Sequence, residues 1–257
     1  YSSAASDVYK RQPIKITKIY STGQFGYLME LIDSTKMVPL ERILSSSKDR
    51  RDFELFDVEL TACINLAKAF DILHSYELVF TDINEGSIFF NIENGDVKIC
   101  DCDNIVSENS HTKPIGKMGF MAPEIFKGDR CTNKSDDFSL AIILFRLLFR
   151  QDPFEGIKWK GQILDDNDKK MMYIYDPIFI FKDGNTTNLP SESVKNKWNR
   201  VAKSYQESFI NTFVNGIESK RDRTEAATWV GKFQGWKDST SSDPMRVLPR
   251  DPIPPRI

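Results

Sequence analysis

Apolar residues recur at helical spacing over long parts of this chain. From Phe53 to His74 they follow the repeat of an amphipathic helix, so this segment is predicted to form a long helix. The run from Leu140 to Phe149 is apolar on nearly every side, which predicts a buried helix with Ser135 as its N-cap. Arg223 to Trp236 predicts the last helix, and Pro39 to Ser46 predicts a short one.

A β-hairpin is predicted before the middle of the chain. Two β-type runs, Ser87–Asn91 and Val97–Cys100, flank the turn Glu93-Asn94-Gly95-Asp96, and Asn-Gly between such runs is a strong hairpin signal. Asp82 lies in the polar loop before the hairpin, and Asp101 directly follows it. Because the two ends of a hairpin are neighbours, we expect both carboxylates to line one cleft.

Other short runs also predict β-structure. Ile14 to Tyr20 and Gly26 to Met29 can supply two strands. Pro177 to Phe181 is rich in β-forming residues and is followed closely by Asp183-Gly184, so it predicts a further strand and a turn.

The composition, 40% apolar and 28% charged, is that of an ordinary globular protein. The net charge of −2 argues against nucleic acid or an anionic membrane surface as a partner. No apolar run reaches the ~20 residues that cross a bilayer, and the N-terminus shows no secretory signal. Four cysteines without a C-x-x-C pair are typical of reduced thiols, so a cytoplasmic location is expected. The oligomeric state stays open.

A zinc site is not expected. Cys100 and Cys102 flank Asp101 and would share one face of a strand, which suggests a metal clip. A zinc site needs about four ligands, however, and the two histidines, His74 and His111, lie far apart in the sequence. His74 is interpreted as a structural residue that packs at the end of its helix.

Several motifs follow one another in an order that resembles the protein kinase family. The loop around Asp82 resembles the catalytic loop H-R-D-L-x-x-x-N, and Asp101 resembles the aspartate of D-F-G. Met121-Ala122-Pro123-Glu124 matches A-P-E, and Arg223 resembles the late arginine that pairs with its glutamate. Residues 26–32 resemble the last small-lobe strand and the hinge. The D-x-D-N form at Asp101 resembles a bacterial branch of eukaryotic-like serine/threonine kinases.

The resemblance implies an α+β, protein-kinase-like fold with a mainly α-helical large lobe and a truncated β small lobe. The large lobe would span residues 33–238, and the remnant of the small lobe with the hinge would span residues 13–32. Residues 1–12 resemble translated adapter sequence, and residues 239–257 are rich in Ser, Pro and Arg. They are interpreted as a non-native or disordered N-terminus and a disordered tail, with natural flexible ends as the alternative.

The resemblance also implies a chemistry that uses ATP and Mg²⁺. Asp82 would accept or orient the proton of a substrate hydroxyl. Asp101 would bind Mg²⁺, a hard cation that prefers carboxylate oxygen, and Ser87 takes the place of the second metal ligand, an asparagine. The adenine would lie against four hinge residues, Met29, Glu30, Leu31 and Ile32.

Three further residues are expected to hold the structure together. Asp136 begins the buried helix, where a carboxylate is costly unless it is hydrogen-bonded. In the family this aspartate accepts bonds from the catalytic-loop backbone; a helix-start carboxylate favoured by the dipole is the alternative. Glu124 and Arg223 are predicted to form a buried ion pair.

Two substitutions suggest that a catalytic charge has moved. Asn84 stands where the family has a lysine beside the transferring phosphate, and Lys117 stands where a threonine normally neighbours that lysine. If the cation moved from position 84 to position 117, the Lys117 ammonium should reach toward Asp82, directly or through one water, and not out to solvent. The alternative is an ordinary solvated loop lysine.

Two functions are compatible with these residues. An ATP-dependent serine/threonine protein kinase acting on a protein substrate is favoured by Asp82 and Asp101. A pseudokinase, a nucleotide- or protein-binding scaffold, is favoured by Asn84 and Ser87. Only 28 residues precede Met29, and they contain no glycine-rich motif or strand lysine. The chain is therefore interpreted as a fragment, inactive by itself, of an active parent protein.

Overall fold

The structure is a computed structural model that describes residues 13–16, 26–29, 31–46, 56–110 and 116–240. Within these ranges it is an α+β protein, about half helical, with small antiparallel sheets. The predictions for residues 1–12 and 241–257 lie outside the described residues, as do Glu30 and the first residues of the helix predicted from Phe53.

The described strands are β1 Pro13–Ile16, β2 Tyr27–Met29, β3 Met37–Pro39, β4 Leu78–Phe80, β5 Ile88–Asn91, β6 Val97–Ile99 and β7 Ile105–Ser107. The described α-helices are α1 Leu40–Ser45, α2 Phe56–Ser75, α3 Pro123–Phe126, α4 Asn133–Phe149, α5 Asp166–Lys170, α6 Glu192–Trp198, α7 Lys203–Ile210, α8 Gly216–Glu218 and α9 Ala226–Thr240. Five-residue π-helical turns, Met171–Tyr175 and Asn211–Asn215, extend α5 and α7.

Three small antiparallel sheets are present among the described residues. β1 pairs with β2, which confirms two strands near the start of the chain. β3, β5 and β6 form a three-stranded sheet in which Val38 faces Phe90 and Ile88 faces Ile99. β4 pairs with β7.

The predicted hairpin is confirmed as β5 and β6. Its turn contains Gly95 at φ +78°, a left-handed conformation that glycine adopts without strain. The Gly95 amide donates to the Asn91 carbonyl at 2.8 Å, and the Asp96 amide donates to the Asn94 side chain at 2.9 Å. A Cβ on Gly95 would meet the Val58 carbonyl oxygen at 2.6 Å, so the turn packs closely against α2.

Helix α4 is the buried centre of the fold, as its apolar run predicts, but its cap differs from the prediction. Most of its side chains are buried, from Ser135 to Phe149. Thr132 is the N-cap, and Ser135 is the third helical residue, whose hydroxyl accepts the Thr132 amide at 2.8 Å. The two residues form a reciprocal capping box. The cap moves to Thr132 because the helix begins at Asn133, two residues before Ser135.

The final helix α9 packs along α2. The Lys237 ammonium reaches the Thr61 hydroxyl at 2.6 Å across this contact. α9 begins at Ala226 and continues to Thr240, so it starts after Arg223 and passes the expected boundary at residue 238.

The strand predicted at Pro177–Phe181 is wrong. These residues are described and form no strand; Phe179 and Phe181 instead pack into the aromatic core around α4. A strand needs a neighbouring strand edge, and here the β-forming side chains bury themselves against a helix. The turn at Asp183-Gly184 is present, with Gly184 at φ +71°.

Candidate active site

The loop that contains Asp82 is held at its start by bonds to distant residues. β4 delivers the chain to Thr81, whose amide and hydroxyl both donate to the Asn104 carbonyl at 2.9 Å. The Phe80 amide donates to Asp136 Oδ2 at 2.9 Å. This bond is the contact expected between the start of α4 and the backbone of the catalytic loop.

Asn84 shapes the loop around Asp82. Its side-chain amide donates to the Asp82 carbonyl at 3.2 Å and lies 3.5 Å from Asp82 Oδ1. Its side-chain oxygen accepts the Gly86 amide at 2.9 Å. Asp82 itself is half-buried.

Ser87 stabilises the same loop from inside. It is fully buried, and its hydroxyl donates to the Asn84 carbonyl at 2.9 Å while it accepts the Asn84 amide at 3.3 Å. The Ser87 hydroxyl thus binds the loop backbone. Its expected role as a metal ligand stays a prediction.

Asp101 follows β6 at the same end of the hairpin as Ser87. The Cys100 amide donates to the Ser87 carbonyl at 2.7 Å, which brings the two chain segments together. Asp101 has φ +58°, a conformation that non-glycine residues seldom adopt and that is concentrated at functional sites. Its side chain is exposed.

The electrostatics connect Asp101 with Asp82. Partial burial raises the pKa of the Asp101 carboxyl, and the negative charges of Asp103 and Asp82 raise it further. This concentration of carboxylate charge fits a hard divalent cation. Within the described residues no three His, Cys, Asp or Glu side chains are gathered tightly enough to form a complete metal cage. Mg²⁺ does not need one, because it keeps waters and takes substrate phosphates as ligands.

The expected adenine pocket is described only in part. Met29 is the last residue of β2, and Glu30 lies outside the described residues. The Leu31 side chain is 88% exposed, and Ile32 is half-buried. The role of these residues in adenine binding stays a prediction.

Lys117 makes no direct ion pair with Asp82 in the described part of the chain. Its ammonium forms an ion pair with Glu85 Oε1, and 58% of its side chain remains exposed. A contact with Asp82 through a water stays a prediction. The sequence analysis did not predict Glu85 as the partner of Lys117. The available signal was its acidic side chain in the catalytic loop, three residues beyond Asp82.

Glu124 and Arg223 form the ion pair that the motifs predict. Arg223 Nη1 lies 2.6 Å from Glu124 Oε1, and Nη2 lies 2.9 Å from Oε2. The Arg223 side chain is fully buried and also donates to the carbonyls of Gly216 and Lys134 at 2.9 and 3.0 Å. The pair is bidentate, which fixes its geometry as well as its charge.

Asp136 is buried next to His74. The carboxylate lies 3.5 Å from His74 Nε2, and Asp137 lies 3.9 Å from His74 Nδ1. Burial raises the pKa of Asp136 despite the opposing effect of His74. Burial alone would lower the pKa of His74, but the carboxylates of Asp136, Asp137 and Glu108 raise it overall.

A second anchor that the sequence did not indicate involves Arg146. Its guanidinium lies 4.3 Å from the centre of the Phe120 ring and donates to the Gly119 carbonyl at 2.9 Å. It also pairs with Asp152, which accepts the Tyr173 hydroxyl at 3.0 Å. Arg146 interrupts the apolar run of α4 because it holds the segment before Pro123 in place.

The comparisons with known proteins agree with this geometry. The family model for the protein kinase domain matches residues 8–227. The chain is 35% identical over 81 residues to mitogen-activated protein kinase kinase kinase 7 of Drosophila melanogaster, covering 31% of this chain and 12% of that protein. It is 29% identical over 147 residues to a probable serine/threonine-protein kinase of Dictyostelium discoideum, covering 54% of this chain and 10% of that protein.

A third relative extends the pattern. The chain is 29% identical over 115 residues to the RGS domain-containing serine/threonine-protein kinase A of Dictyostelium discoideum, covering 44% of this chain and 10% of that protein. The chain thus matches about a tenth of the length of these three relatives. They come from an insect and a slime mould, so the assignment to a bacterial branch stays a prediction. Among the described residues, no helix is both long and apolar enough to span a bilayer.

Proposed function

Because the chain belongs to the protein kinase domain family, we propose that the protein transfers the terminal phosphoryl group of ATP to a serine or threonine hydroxyl of a protein substrate. Support for the acceptor class comes from relatives that are named serine/threonine-protein kinases. Support for the chemistry comes from the pair of carboxylates, Asp82 and Asp101, at one end of the hairpin. The proposal chiefly rests on their placement: the Cys100 amide bonds to the Ser87 carbonyl at 2.7 Å, which brings the segment of Asp101 to the loop of Asp82.

Each residue has a distinct part in the proposed reaction. Asp82 orients the acceptor hydroxyl and takes up its proton. Asp101, with the charge of Asp103 nearby, would hold Mg²⁺, which would supply positive charge to offset that of the phosphates. Backbone groups of residues 30–32 bind the adenine edge. Asn84 and Ser87 keep the Asp82 loop in shape through the bonds described above.

A pseudokinase scaffold is the second candidate. Ser87 favours it, because a serine takes the place of the asparagine ligand and its hydroxyl already donates to the Asn84 carbonyl. The pairing of Lys117 with Glu85 also favours it, because the cation then does not replace the lysine absent at position 84. Such a protein would bind nucleotide or protein without transferring phosphate.

The test separates binding from transfer. Mg²⁺-dependent ATP binding is measured by calorimetry, and transfer of a labelled terminal phosphate to generic protein substrates is measured in parallel. Asp82→Asn should retain binding and lower transfer by about 10²–10⁴-fold. Asp101→Asn should weaken binding in Mg²⁺ more than in EDTA. Asp129→Asn, an exposed surface change, is the control.

The outcomes distinguish the candidates. ATP binding with transfer that depends on Asp82 supports the kinase. Binding without any transfer by the intact protein supports the scaffold and overturns the kinase proposal. If neither ATP nor Mg-ATP binds, the kinase and the nucleotide-binding scaffold are both wrong.

A further inference from the structure

An ion pair joins the catalytic loop to the segment that leads to Pro123. Glu85 lies in the loop, three residues after Asp82, and its Oε1 contacts the Lys117 ammonium. The Glu85 side chain is 19% exposed, while that of Lys117 is 58% exposed. The pair therefore has one partner inside the loop and one at the surface.

Glu85 projects from a rigid base. Its carbonyl accepts the Glu41 amide at 3.1 Å, which fixes its backbone against α1. Its neighbours Asn84 and Gly86 are joined by a 2.9 Å bond from the Gly86 amide to the Asn84 side chain. Glu85 Oε2 is buried and has no hydrogen-bond partner among the described residues, so this carboxylate is strongly biased toward a nearby cation.

The segment on the other side is held at two more points. Arg146 fixes Gly119 and Phe120, and Arg223 fixes Glu124. Between Lys117 and these anchors, the amides of Phe120 and Met121 both donate to the Lys117 carbonyl, at 3.2 and 3.3 Å. The Glu85 contact is thus one attachment of a tight turn whose far end is anchored on α4 and near α9.

We propose that Glu85 is a positioning residue that holds the turn at residues 117–121 at a set distance from Asp82, through its ion pair with Lys117. This inference rests on the proposed function, because the turn would then border the site where the acceptor hydroxyl meets Asp82. The ion pair takes the place of a direct contact between Lys117 and Asp82. It leaves the Asp82 carboxylate available for the acceptor.

Charge reversal tests the pairing. Glu85→Lys and Lys117→Glu each place like charges together, and the double variant restores an opposite pair. In the intact protein, each single variant should lower kcat/KM for a protein acceptor by about 10–100-fold, since a displacement of ~1 Å can cost about 10² in rate. The double variant should recover most of this loss, and KM for ATP should stay unchanged in all three.

A conservative variant and a matched control guard against misfolding. Glu85→Gln removes the charge without reversing it and should lower kcat/KM with little change in Tm, because it leaves only an exposed lysine unpaired. The reversal of Lys36 and Glu93, an exposed pair whose atoms lie 2.8 Å apart, should change neither kcat/KM nor Tm appreciably. A structural role alone would lower Tm and would not give rescue in kcat/KM.

Hydrogen exchange supplies a readout that does not need activity. Exchange of the Phe120 and Met121 amides should speed up in each single variant and return toward wild type in the double variant. If exchange follows this pattern but the wild type transfers no phosphate, the positioning contact stands and the proposed function falls. If the wild type is active and the double variant is no better than the singles, or if the singles leave exchange unchanged, the positioning inference is overturned.

Discussion

At the scale of single residues, the buried charges of Arg223 and Asp136 have partners that come from distant parts of the chain. Arg223 is fully buried against Glu124, and Asp136 is buried against the Phe80 amide and His74. Burying an unpaired charge is very costly, so these partners are required by the fold. Lys117 is exposed, so several carboxylates could pair with it. Its partner was therefore harder to predict from the sequence.

We expect Glu124→Gln to lower the free energy of unfolding by about 3–5 kcal/mol, because it leaves the buried Arg223 guanidinium without its counter-charge. Urea denaturation measures the loss. Lys220→Ala is the control: its pair with Asp129 links neighbouring parts of the structure but is about half exposed, so the loss should stay below ~1 kcal/mol. Equal losses for the two variants would contradict the prediction.

At the scale of elements, residues 156–190 lack a sheet and depend on side-chain bonds to the backbone. Asn188 is fully buried; its amide donates to the carbonyls of Phe154 at 2.6 Å and Ile178 at 3.0 Å, and its oxygen accepts the Gly156 amide at 2.8 Å. One asparagine thus supplies the donors and the acceptor that a strand ladder would otherwise provide.

Asn188→Ala should lower the free energy of unfolding by about 2–4 kcal/mol. The substitution leaves buried backbone groups without a hydrogen-bond partner, and each such group costs ~1–3 kcal/mol. Asn188→Asp should be no better, because a carboxylate cannot donate to the two carbonyls. Urea denaturation measures both, with the exposed Asn199→Ala as the control. A loss under ~0.5 kcal/mol for Asn188→Ala would show that other contacts hold this region.

The contact between α2 and α4 should make stability depend on pH. The carboxylates around His74 favour its charged form, so this contribution is full below the unfolded pKa near 6.5 and is lost as pH rises through the higher folded pKa. Burial raises the pKa of Asp137 to about 6, and a carboxyl with a raised folded pKa also loses stability as pH rises. Lys134 Nζ lies 3.3 Å from Asp137 Oδ2 and partly opposes this rise in the pKa.

We therefore expect the free energy of unfolding to fall as pH rises from about 4 to 8. His74→Gln should flatten the upper part of this profile, above about pH 6.5. Urea denaturation at a series of pH values checks it. A His74→Gln profile parallel to that of the wild type would contradict the assignment of the effect to this histidine.

At the scale of the whole molecule, one aromatic cluster connects segments that are far apart in sequence. Phe145 of α4 lies at its centre, with ring centroids of six other aromatic residues 4.5 to 6.4 Å away. These neighbours are Phe149, Phe179, Phe181, Trp198, Phe209 and Phe213. The region after α4 therefore folds onto α4 through shared packing.

Phe145→Ala should lower the free energy of unfolding by about 3–5 kcal/mol through lost contacts and the cavity that remains. Chemical denaturation followed by tryptophan fluorescence measures this, because Trp198 lies in the cluster. Tyr175→Ala, at a side chain that is 63% exposed, is the control and should change stability by less than ~0.5 kcal/mol. A small loss at Phe145 would mean that the cluster repacks around the vacancy.

The sequence by itself determined the family, the hairpin, the buried α4 and the pair of Glu124 with Arg223. These follow from short motifs and from periodicity, and a buried arginine with a motif glutamate has few alternative partners. The two aspartates could be placed at one end of the hairpin for the same reason, because a hairpin brings its own ends together.

Only the tertiary structure decided the partner of Lys117, the burial of Ser87 and the irregular course of residues 177–181. Each depends on which surfaces arrive from elsewhere in the chain: Glu85 beside Lys117, the Asn84 backbone around Ser87, and the aromatic face of α4 beside Phe179. An exposed cation pairs with whichever carboxylate lies nearest, and a β-forming run becomes a strand only where another strand offers its edge. The local sequence pattern predicts neither the partner of an exposed cation nor the presence of a neighbouring strand edge. Both depend on residues that only folding brings together.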